Sequence, residues 1–133
     1  MTFTYKDLAA AQSSLNEWAQ RLRLSDWKIT LHISRSHDMP MEGKVGAVKW
    51  FAQQKDAIIH LLDPIDYPPH SWDEQDHEIT LVHELLHLHY VPFDTTKEGS
   101  LAETMLEQSI HILSTLLVTQ QREYWHAIQD VDV

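Results

Sequence analysis

The 133-residue chain contains no cysteine, which removes a disulfide scaffold, a thiolate zinc knot and a cysteine nucleophile together. Any metal must then be ligated by His, Asp or Glu. Glycine (3) and proline (5) are too few for a collagen-like or low-complexity segment. Positive charge is scarce, with 10 Lys and Arg against 20 Asp and Glu and a formal charge of -10. No basic stripe relieves that balance locally, so neither nucleic acid nor an anionic membrane surface is expected as a partner. Long apolar runs are missing as well: none exceeds Leu8 to Ala11, far short of the roughly 20 residues of a spanning helix. Met1 to Asp7 lacks a basic stretch followed by an apolar core, so a cytoplasmic protein is expected.

What is present is ordinary globular composition, 43% hydrophobic and 23% charged. A single domain over residues 1–133 is expected, because a core of this size can bury about two-thirds of the chain's surface. The unusual figure is 10 histidines, and their placement carries the argument.

Leu8, Ala11, Leu15, Trp18, Ala19 and Leu22 recur at three and four residues, the period of one buried helix face. Trp27, Ile29, Leu31 and Ile33 alternate with polar residues and predict a strand, and Val45 to Ala52 and Ala57 to Leu62 predict two more across a polar turn. The expected sheet is small and mostly antiparallel. Ser71-Trp72-Asp73-Glu74 has capping-box spacing and predicts a helix running to Val91-Pro92. Ser100-Leu101-Ala102-Glu103 repeats the pattern and opens a last helix toward Tyr124. The fold class expected is α+β, in the order helix, three strands, helix, helix.

The chemistry is concentrated in His83-Glu84-Leu85-Leu86-His87. Histidines four apart lie on one helix face, with Cβ atoms roughly 5–6 Å from each other, and can converge on one ion. Zinc with three protein ligands keeps a position for water and lowers its pKa to about 7. Glu84 points beside such an ion and is placed to act as the general base. The setting strengthens the motif, because three ionisable groups in an otherwise apolar helix are costly unless a metal or partner compensates them. His89 lies toward the opposite side of the helix and is not expected as a ligand. His32, His37, His60, His70 and His77 are read as structural or exposed, and Trp50 and Trp72 as packing residues.

Through Thr80 to His89 and the downstream Glu107-Gln108-Ser109-Ile110, the chain resembles the zincin metallopeptidases, and more closely the small phage- and prophage-type metallopeptidases related to the gluzincins. The likeness extends more loosely to Trp27-Lys28-Ile29 and the strand at Ala57 to Leu62. It implies a minimal zincin-like domain, one zinc ion, hydrolysis of peptide bonds in a peptide or protein substrate, and a third ligand that is a glutamate on the helix after the motif. The chain departs from the usual hydrolase pattern in lacking a clear downstream Tyr or His as oxyanion donor. His111, one turn beyond Glu107, either approaches as a donor or stays solvated.

For the third ligand, Glu103 and Glu107 compete. Helical phase favours Glu103, whereas its position three residues after Ser100 gives it a capping task. The resemblance implies the Glu107 segment, so His83, His87 and Glu107 are the expected metal ligands. Two other functions fit parts of the pattern. One is a non-catalytic, zinc-stabilised binding or regulatory module of phage origin. The other is a di-iron carboxylate oxidoreductase built on Glu84-x-x-His87 and Glu123-x-x-His126, with Glu103 or Glu107 adding carboxylates, which needs four long helices.

Overall fold

The computed structural model describes residues 2–71 and 73–131; Trp72 lies outside the described residues. The chain divides into two compact units, one reaching Asp94 and the other starting at Thr95. The described residues form an α+β structure of three α-helices and a three-stranded mixed sheet. The four long helices of a di-iron bundle are not formed by the described residues. Among these, no helix is long and apolar enough to cross a membrane.

The first unit opens with α1 (Leu8–Arg21), capped where the Asp7 side chain accepts the Ala10 N–H at 2.8 Å. Its buried residues, Ala11, Leu15, Trp18 and Ala19, belong to the predicted apolar face, whose first member, Leu8, is exposed and whose last, Leu22, is half-buried. Strands β1 (Lys28–Ser34), β2 (Gly46–Phe51) and β3 (Asp56–Leu62) follow, in spatial order β1-β3-β2. The expected mostly antiparallel sheet is corrected here. β2 and β3 form an antiparallel hairpin, but β1 pairs with β3 in parallel, from Lys28↔Asp56 to Ser34↔Leu62. The long connection after β1 carries the chain past β3's position to the far edge, and the hairpin then returns β3 into the middle. Ala57, Ile59 and Leu61 of this central strand are at most 1% exposed, and each large one contributes about 1.5–3 kcal/mol by leaving water.

The helix expected from Ser71 begins later. α2 spans His77–Tyr90, and its cap is Asp76, whose side chain accepts the Ile79 N–H at 3.0 Å. The preceding segment is held otherwise, with the Tyr67 hydroxyl donating to the Asp73 carbonyl. Phe3 pairs with the helix start, accepting the His77 N–H at 2.8 Å and donating its own N–H to Gln75 at 2.9 Å. The Trp18 indole donates to Glu78 at 2.8 Å and ties α1 to α2.

A clip closes the chain after β3. The Arg35 guanidinium donates to Asp66 at 2.8 Å, and the Ser36 N–H donates to the same carboxylate at 2.8 Å. These bonds, Arg35's first, hold the Asp66 carboxyl down to about 2. Above the ordinary aspartate range the clip contributes in full; as pH falls toward about 2, the unfolded chain takes up the proton first and the contribution is lost. Arg35→Ala should therefore lose less stability than the parent between about pH 4 and pH 2 in denaturant melts. Equal losses in the two proteins would contradict the clip.

The second unit is dominated by α3 (Leu101–Val131). Its start follows the predicted cap: the Ser100 hydroxyl accepts the Glu103 N–H at 3.1 Å. The Glu103 carboxylate returns to the Gly99 N–H, at 3.0 Å, rather than to Ser100. Ile110, Ser114 and Val118, four apart, are fully buried.

Candidate metal centre

Helix α2 carries four histidines, and the fold separates them. His77 is 1% exposed; its Nδ1 accepts the Tyr5 N–H at 3.0 Å and its Nε2–H donates to the Leu62 carbonyl at 2.9 Å. Both ring nitrogens are thus engaged at the helix start. His89 donates from Nε2 to the Leu22 carbonyl at 2.6 Å, at the end of α1. The remaining two, His83 and His87, stand together half-buried with ring centroids 5.2 Å apart.

Glu107, the expected third ligand, stands on α3 in the second unit. Glu103, on the same helix, is engaged at its start. His111 is exposed on α3. Glu123 and His126, the second element of the di-iron alternative, are exposed as well.

Glu84 is only 7% exposed, and its carboxylate lies against the start of β2. A Cβ built on Gly46 would meet Glu84 Oε1 at 3.4 Å and run into Thr80 Cγ2. The absence of a side chain at Gly46 is what lets the strand approach the helix at the level of the motif. Trp50, on the same face of β2, sets its ring nearly parallel to His87, with centroids 6.4 Å apart and planes at 20°. At 37% exposure it is a partly open wall beside the histidine rather than a core residue.

Sequence reasoning missed Gly46, although one glycine inside a strand pattern is a signal of close backbone approach. Gly46→Ala should destabilise the fold by about 1–3 kcal/mol through overpacking. Thr80→Ser removes the obstructing methyl while keeping the hydroxyl that donates to the Asp76 carbonyl, so it should recover part of that loss in urea melts. A Gly46→Ala protein as stable as the parent would contradict the contact.

Comparison with protein-family models, with curated proteins and with solved structures finds no match.

Proposed function

We propose that the chain is a zinc-dependent metallopeptidase in which His83, His87 and Glu107 hold one zinc ion and Glu84 is the general base. The observation that carries this reading is the pair of imidazoles one helical turn apart on α2, ring centroids 5.2 Å from each other, with the buried Glu84 between them in sequence. Nitrogen and oxygen donors without thiolate suit a borderline divalent ion, and three of them suit a catalytic rather than a closed structural zinc site. When bound, zinc supplies Lewis-acid polarisation of a substrate carbonyl and a lowered pKa for water.

The remaining work belongs to the chain. Glu84 follows His83 directly and so points beside the donor set, where its carboxylate can accept a proton from water and deliver it to the leaving amine. Its burial limits competing solvation by bulk water. Among the described residues β2 pairs with β3 alone, in the order β1-β3-β2, so its other edge offers backbone N–H and C=O groups to an extended peptide. Gly46 brings that edge close to Glu84, and Trp50 flanks it beside His87. The substrate class is therefore an extended peptide or unfolded protein segment.

The test is cleavage of a library of extended peptides by the purified protein. Hydrolysis is expected, lost on chelation and restored by zinc. Chelation should also lower the melting temperature, because zinc at about a thousand times its Kd adds roughly 4 kcal/mol to stability. A zinc-loaded protein that leaves the library intact would favour the binding module.

A further inference from the structure

Two histidines outside the α2 site are brought together by a feature that the sequence does not display, the parallel pairing of β1 with β3. His32 and His60 are direct partners in that register. Strand alternation puts both on the sheet face opposite Leu31, Ile59 and Leu61, the face away from α1 and α2. Their ring centroids are 5.1 Å apart with planes at 31°, almost the 5.2 Å separation of His83 and His87.

We propose that His32 and His60 form a second metal site, a two-imidazole clip for a borderline divalent transition-metal ion across β1 and β3. Three observations support it. His60 Nδ1 is 2.8 Å from the Ser34 hydroxyl; in the tautomer that donates Nδ1–H to this oxygen, Nε2 keeps its lone pair and the ring is held in one orientation, as supporting hydrogen bonds do for ligating histidines. Ser34 is itself 7% exposed, a fixed support. On the other side of His60, the β2 partner is the small Ala47, and His32 is exposed, so the pair is reached from solvent on the β1 side.

The electrostatics are compatible. Burial, and then the neighbouring His32, push His60 below the ordinary imidazole range, which favours the neutral ligand form. Asp38, in the turn Ser36–Asp38, acts on His60 in the opposite sense, and its carboxylate together with the chain's net charge of -10 favours a cation. With two protein ligands and water in the other positions, this site binds more weakly than a three-ligand one, and Cu2+ binds more tightly than Zn2+.

The site does not depend on the peptidase reading. A His83→Ala/His87→Ala protein, titrated with Cu2+ and with Zn2+ while binding is followed by calorimetry, should still bind a single ion. Adding His32→Ala, at an exposed strand position, should abolish that binding, and adding Ser34→Ala should weaken it about tenfold or more. In the otherwise unaltered chain, His32→Ala should lower the zinc capacity by one ion and leave the tighter ion in place, a result that does not require the double variant to fold. Binding that is indifferent to His32→Ala in both backgrounds would overturn the clip, as would the absence of any ion beyond the one held at α2.

Discussion

Glu84→Gln is expected to bind zinc with the parent's stoichiometry and to lose peptide hydrolysis by about 10²–10⁴-fold, the range general-base catalysis supplies. The substitution is nearly isosteric, which matters because the side chain is 7% exposed and has the β2 backbone at Gly46 against it. An amide fits the same space, but at neutral pH it cannot take the proton that the proposed role assigns to the carboxylate. If Glu84 were instead a metal ligand, bound zinc would fall together with activity. Metal analysis and peptide-cleavage rates on one preparation separate the two roles. Activity within a factor of a few of the parent, at full zinc loading, would remove Glu84 from the reaction.

Much of this arrangement is legible in the chain because it depends on local periodicity. The apolar residues of α1 recur at helical spacing, and the four between its ends, Ala11, Leu15, Trp18 and Ala19, are buried as read; the alternation of β1 and the run in β3 fall within a residue of the strands formed; and the Ser100 cap is where its spacing puts it. What depends on distant contacts is not legible. Nothing in the alternation of β1 names its neighbour, so the parallel pairing with β3, and with it the meeting of His32 and His60, is absent from the one-dimensional pattern. The start of α2 is displaced from Ser71 because a better N-cap at Asp76 coincides with the bridge to Phe3, a residue more than seventy positions away. The histidines show the same division. The four-residue spacing of His83 and His87 is visible at once, whereas the occupation of His77 by Tyr5 and Leu62, and of His89 by Leu22, depends on chain crossings. The role of Gly46 has the same origin, since only the approach of β2 to Thr80 makes its missing side chain matter.

The larger effect on metal binding is expected from Glu107→Ala, which should lower zinc affinity severely, while Glu103→Ala should leave it close to the parent's and reduce stability by only about 1 kcal/mol. The two residues lie one turn apart, and helical phase by itself prefers Glu103. The hydrogen bonds of the helix start favour Glu107 as the proposed ligand. Glu103 accepts the Gly99 N–H at 3.0 Å while its own N–H is held by the Ser100 hydroxyl at 3.1 Å, so its carboxylate satisfies a backbone donor at the helix start. Turning it toward a metal would break that bond and leave the donor to water. Glu107 stands one turn further along α3, past the capping positions. If Glu107 is one of three ligands as proposed, its loss also removes the negative charge that offsets the ion, so Glu107→Gln should recover little of the affinity, because an amide oxygen is the poorer donor to zinc. Competition with a coloured chelator gives the ranking directly; a Glu103→Ala protein that loses zinc while Glu107→Ala retains it would transfer the third ligand to Glu103.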